Sequence, residues 1–118
     1  ADLFAGLGTF AFNLAQGRRV TAFEADQAGV LACRSAAASS GLAVDTVHRD
    51  LFRNPVRAEE LALFDALLLD PPRAGSKAQI EQIAASGGGR DVYVSCNPSS
   101  WSRDAAALVN AGYELAEL

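Results

Sequence analysis

DLFAGLGTFAFNLAQGRRVTAFEAD, residues 2–26, holds a strand end, a glycine turn, a short helix and a second strand closed by an acid. ADLF (1–4) has the apolar character of a buried strand tail. AGLG is a turn, because Gly6 and Gly8 remove Cβ crowding where the backbone must reverse. TFAFNLAQG reads as a short helix closed by Gly17. RVTAFEA (19–25), with β-branched and aromatic residues, reads as the second strand. Two strands joined through a helix form a parallel unit, and that unit sets the expectation for the rest.

The alternation continues outward. Asp26 is placed to cap an alanine-rich helix over 27–39, with Gly41 beyond its end. AVDTVHRD (43–50) alternates like a strand, and 56–63 has room for a short helix. FDALLLD (64–70) is a nearly continuous apolar run, which suits a parallel strand covered on both faces. DPPRAGS is a loop, since Pro71 and Pro72 block regular pairing. KAQIEQIAAS reads as a helix ended by the glycines 87–89. DVYVSC (91–96) reads as the fifth strand, 99–111 as a helix capped by Ser99 and ended by Gly112, and YELAEL (113–118) as the start of another strand. The expected fold is α/β, a mostly parallel doubly wound sheet with helices on both faces. Residues 1–118 read as a single domain truncated at both ends, a piece of a longer protein.

Bulk properties narrow the function classes. The chain has 118 residues, half of them hydrophobic and a fifth charged, as in an ordinary globular domain. Ten basic residues stand against fourteen acidic, a net charge of −4, which is not the footprint of a stand-alone nucleic-acid binder. Any grip on a nucleic acid must come from a local patch or from parts outside these residues. No apolar run approaches the ~20 residues of a membrane span. Cys33 and Cys96 lie far apart and make neither a metal spacing nor a disulfide framework. A reducing cytoplasm is the expected setting.

In parallel sheets ligands bind beyond the carboxyl ends of the strands. The chemically unusual residues fall there: Asp2, Phe4 and the glycines after the first strand, Glu24 after the second, Asp50 after the third, Asp70 after the fourth and Cys96 after the fifth. Gly6 and Gly8 would let a ligand approach the backbone. The third glycine of the dinucleotide fingerprint is missing, because Thr9, Phe10 and Ala11 follow Gly8. Glu24 could accept hydrogen bonds from ribose hydroxyls. Between a nicotinamide cofactor and S-adenosylmethionine, the missing glycine favours the latter. Asp70, held by two prolines, could bond a ring N–H or an amino group. Arg73 could contact a phosphate or balance Asp70. Cys96 differs from Cys33 by sitting on this rim, so packing and a nucleophilic role both stay open for it, whereas Cys33, mid-helix, reads as packing. His48, Phe10 and Phe12 read as structural, and Arg18 and Arg19 as a solvated turn.

DLFAGLGTF, FEAD, HRDLF, LLLDPPRAG and VYVSCNPSSWSRD together resemble the RNA 5-methyluridine (uracil-C5) methyltransferase family, over essentially the whole chain. The resemblance implies a class I S-adenosylmethionine-dependent methyltransferase domain that acts on a uridine of tRNA or rRNA. It implies cofactor contacts at Phe4 and Thr9, a ribose contact at Glu24, a residue near the adenine at Asp50, an aspartate between cofactor and uracil at Asp70, and the nucleophile at Cys96. It also implies that an RNA-binding domain, C-terminal strands and a general-base glutamate lie outside residues 1–118, so the chain alone would not turn over. Ala5, Thr9 and Trp101 depart from the residues usual in the family. Two other readings fit parts of the pattern: an amino-group nucleic-acid methyltransferase, which uses Asp-Pro-Pro without a thiol, and a non-catalytic cofactor- or RNA-binding module.

Overall fold

The computed structural model describes residues 1–118. Five strands and five helices alternate strictly: β1 Asp2–Leu3, α1 Thr9–Leu14, β2 Val20–Glu24, α2 Gln27–Ser40, β3 Val44–His48, α3 Ala58–Leu61, β4 Ala66–Leu69, α4 Lys77–Ala85, β5 Arg90–Tyr93 and α5 Pro98–Asn110. The strands form one sheet in the order β3-β2-β1-β4-β5, and every pair is parallel. The strand order therefore reverses direction at β1/β4, which opens a crevice at the carboxyl ends there.

Strand alternation divides the apolar residues between the two faces of the sheet. Leu3, Phe23, Leu67 and Leu69 pack with Leu51, Val56, Leu61, Ile80 and Ile83, the side covered by α3 and α4. Val20, Ala22 and Val44 pack with Ala11, Ala15 and Cys33, the side covered by α1 and α2. Cys33 is buried in that second cluster, as its mid-helix position implied. The smaller residues of this cluster let α1 sit close to the sheet. Gly8, in the left-handed region at φ 88°, sets that approach: a Cβ there would lie 2.8 Å from the Phe12 ring and 2.9 Å from Cys33 Sγ.

Helix ends follow local chemistry. Asp26 caps α2 by accepting the Gly29 N–H at 2.8 Å. The structure differs from expectation at three places. β5 stops at Tyr93, so Cys96 lies three residues past the strand, in a turn that Ser95 stabilises by accepting the Asn97 N–H. The α5 cap is Asn97, which accepts the Ser99 N–H at 3.1 Å, with Pro98 in the first turn; a proline there needs no N–H partner, so the cap shifts one step before it. Residues 113–118 form no strand. Tyr113 instead folds back against the apolar core and donates to the Ile83 carbonyl at 3.1 Å.

Candidate active site

The crevice at the strand ends is a cavity of about 360 Å³, lined by Phe4, Phe23, Glu24, Ala25, Arg49, Leu51, Phe52, Asp70, Pro71 and Pro72. Its residues come from the ends of β1, β2, β3 and β4, the rim on which the sequence concentrated its polar groups. Phe4 turns the chain out of β1 with φ 69°, a left-handed conformation uncommon for a residue with a Cβ. That turn brings its ring to 5.4 Å from the ring of Phe52, centroid to centroid.

Glu24 is already engaged by the backbone. One carboxylate oxygen accepts the Gly6 N–H at 2.7 Å, and the other accepts the N–H groups of Ala25 and Asp26, each at 2.8 Å. The glycine turn and the end of β2 are thereby locked together. A carboxylate offers about four lone-pair sites, so Glu24 keeps capacity for one further donor from the cavity. Asp70 lines the same cavity, and its N–H donates to the Leu3 carbonyl at 3.2 Å, which fixes it beside the end of β1.

Not every expected residue reaches the cavity. Gly6 and Gly8 shape the turn, and Thr9 opens α1 with its side chain exposed; none of the three lines the cavity. Asp50 accepts the N–H groups of Phe52 and Arg53 and shapes the loop, while its neighbours Arg49, Leu51 and Phe52 form the wall. Asp2 departs furthest from its expected place at the cofactor. It has no exposed surface and does not line the cavity, because in so short a strand it faces the interior. Neither of its carboxylate oxygens has a hydrogen-bond partner. Burial pushes its carboxyl up to about 6, and the Ala11 amide offsets this only in part, short of hydrogen-bond geometry.

A raised carboxyl pKa means that the folded chain holds its proton more tightly than the unfolded one. The associated stability is complete below about pH 4 and declines as pH rises towards 6. Asp2→Asn is therefore expected to remove that decline and to raise stability at pH 7 by about 2 kcal/mol. Urea unfolding of both proteins between pH 4 and 7 measures it; parallel pH profiles would contradict the assignment.

Arg49 was not singled out by the sequence. Its guanidinium holds Glu60 through two bonds of 2.8 and 3.0 Å and also donates to the Asn54 and Pro55 carbonyls. Hydrogen bonding from Arg49 holds the Glu60 carboxyl down at about 2. The clamp staples loop 50–57, and hence Leu51 and Phe52, over the cavity.

The second half of the site lies beside Asp70. Asn97 Nδ2 and Ser100 Oγ both donate to the Arg73 carbonyl at 2.8 Å. Arg103 donates to the Ala74 carbonyl at 3.0 Å. Asp104, 1% exposed, accepts from Tyr93 Oη at 2.8 Å, from the Ser76 N–H at 3.0 Å and from two nitrogens of Arg103 at 2.9 and 2.7 Å. Loop 70–76 is thus bound to the start of α5. Cys96, adjacent to Asn97, is exposed and free at that junction, not buried in the core. Gly75, φ 75°, permits the contact: a Cβ would come within 2.6 Å of Asp104 Oδ2. An acid on the inner face of an otherwise amphipathic helix was the signal for Asp104 in the sequence.

No family model matches the chain. It is 52% identical over 115 residues to an RNA methyltransferase of Zymomonas mobilis, covering 98% of this chain and 29% of that protein. It is 43% identical over 117 residues to the 23S rRNA (uracil(1939)-C(5))-methyltransferase of Pseudomonas fluorescens, covering 97% of this chain and 26% of that one. The chain spans less than a third of the length of these relatives. The crystal structure of the Pyrococcus abyssi tRNA (uracil-54, C5)-methyltransferase, in complex with S-adenosyl-L-homocysteine, superposes with a TM-score of 0.83 at 28% identity, over 98% of this chain and 28% of that one. In sequence and in fold, the chain is thus similar to a segment of RNA methyltransferases, two of which are named for carbon 5 of uracil.

Proposed function

We propose that these residues form the S-adenosylmethionine-binding part of a longer enzyme that methylates carbon 5 of a uridine in RNA, with Cys96 as nucleophile, working in the cytoplasm. The observation that carries the reading is the tie between the Asp70 loop and the Cys96 turn, made by Asn97 and Ser100 on the Arg73 carbonyl beside the cavity. The cavity has the chemistry such a cofactor needs. Phe4, Leu51 and Phe52 offer apolar surface to a purine, Glu24 an acceptor for ribose hydroxyls, and Asp70 an acceptor for an amino group or a ring N–H. Size agrees, since pockets for such ligands begin at roughly 300 Å³.

Carbon 5 of uracil is a weak nucleophile. When the Cys96 thiolate adds to carbon 6, a C–S bond forms and the ring electrons move onto carbon 5 and the carbon-4 oxygen. S-adenosylmethionine, when bound, would supply an electrophilic methyl group that bonds to carbon 5 as its S–CH3 bond breaks, leaving S-adenosylhomocysteine. Carbon 5 must then lose its proton to a base outside residues 1–118. The electron pair restores the C5=C6 double bond and expels the thiolate. Asp70 holds the ring by a polar N–H and keeps the base in register with Cys96. The target uridine must be unpaired or extruded to reach this rim.

Incubating the full-length protein with S-adenosylmethionine and a uridine-containing RNA, followed by nucleoside mass spectrometry, is expected to yield 5-methyluridine. An N-methylated nucleoside would point to amino-group methylation instead. RNA binding without any methylated product would point to a binding module.

A further inference from the structure

We propose that Arg73 contacts an RNA phosphate next to the target uridine; the proposal rests on the uridine-methylating reading above. Of the ten basic residues, Arg19, Arg49, Arg53, Arg57 and Arg103 are spent in ion pairs. Arg34 donates to the Thr46 carbonyl. Arg18, Arg73, Lys77 and Arg90 have neither an acidic partner nor a side-chain hydrogen bond. Arg18 precedes β2 and Arg90 opens β5, so both lie at the amino ends of the strands, away from the cavity. Arg73 and Lys77 alone among the four lie on the loop and helix start that follow the carboxyl end of β4.

The position of Arg73 is built. Pro71 and Pro72 precede it, its carbonyl accepts two side-chain bonds, and the Gly75 N–H closes back on the Pro72 carbonyl at 2.8 Å. The backbone is fixed while the guanidinium is left exposed and unpaired. It lies three residues from Asp70, and its carbonyl is held by the residue that follows Cys96. A uridine held between those two groups carries a phosphate on each side of its ribose, and a guanidinium binds a phosphate through paired N–H donors. In a chain of net charge −4, a free cation at this point supplies the local attraction that the overall charge withholds.

Equilibrium binding of the full-length protein to its RNA, measured across a salt series, tests this. Arg73→Gln is expected to weaken binding roughly 5- to 10-fold at low salt and to flatten the slope of log affinity against log salt by about 0.7, the share of one single-strand phosphate contact. Arg73→Lys should keep the slope. Affinity for S-adenosylhomocysteine and thermal stability should not change in either variant. An Arg73→Gln slope equal to that of the unaltered protein overturns the proposal, and a fall in thermal stability with an unchanged slope does so by making Arg73 structural. Absence of 5-methyluridine formation by the unaltered protein would instead sink the functional reading. The two failures are therefore read separately.

Discussion

Replacing Cys96 with serine in the full-length protein is expected to lower uridine methylation by on the order of 10⁴-fold, while S-adenosylhomocysteine binds as before. A hydroxyl is a far weaker nucleophile than a thiolate at neutral pH, because so little of it is ionised there. The cavity draws its walls from β1, β2, β3 and β4 and the loops that follow them, not from the turn after β5, so cofactor affinity should not follow the loss. Single-turnover methylation together with calorimetric titration of S-adenosylhomocysteine separates the two quantities. A Cys96→Ser protein that kept a tenth of the rate would remove the thiol from the chemistry and favour amino-group methylation.

Asp104→Ala carries the second large effect, on stability. The carboxylate is 1% exposed and takes four hydrogen bonds from three residues. Its loss strands the Tyr93 hydroxyl, the Ser76 N–H and the Arg103 guanidinium. Breaking one side of a buried charged network costs about 3 kcal/mol, lowered somewhat here because Arg103 is half exposed and can turn to water. For a domain of this size that is a fall in Tm of roughly 10 °C. Tyr93→Phe, which removes one donor of the set, should cost about 1 kcal/mol. Denaturant unfolding checks both, and a change under 0.5 kcal/mol in Asp104→Ala would show that the hub does not hold loop 70–76 to α5. Methylation should fall in Asp104→Ala as well, because the same network keeps the Asp70 loop against the Cys96 turn.

The fold was legible because each unit repeats one pattern. Strands such as ALLL in β4 are apolar without interruption, and the intervening helices end on glycine or capping residues that the chain actually uses, Asp26 and Gly41 among them. The misreadings have local causes. Ser95, Asn97 and Pro98 compete for the backbone after Tyr93, and so the strand ends earlier than its apolar character suggested. YELAEL alternates like a strand, yet no neighbouring strand in the sheet takes it up. At the site, residues at strand ends were legible as a set, since parallel topology sends them all to one rim. Their side-chain directions were not. Asp2 is turned inward by the pleat, and Glu24 is taken by the N–H groups of Ala25 and Asp26 and by that of Gly6, which only the fold of residues 4–8 brings to it. Arg49 and Asp104 act across 11 to 28 residues of sequence, and composition carries no trace of such pairings.

The thiol chemistry is tested most directly by RNA in which the target uridine is replaced with 5-fluorouridine. Fluorine at carbon 5 cannot leave as a proton, so the reaction halts after methyl transfer with sulfur still bound to carbon 6. Mass spectrometry of the full-length protein incubated with this RNA and S-adenosylmethionine is expected to show a methylated RNA–protein adduct whose modified peptide contains Cys96, absent from Cys96→Ser. Production of 5-methyluridine from ordinary RNA with no such adduct, or an adduct on a different residue, would contradict Cys96 as the nucleophile.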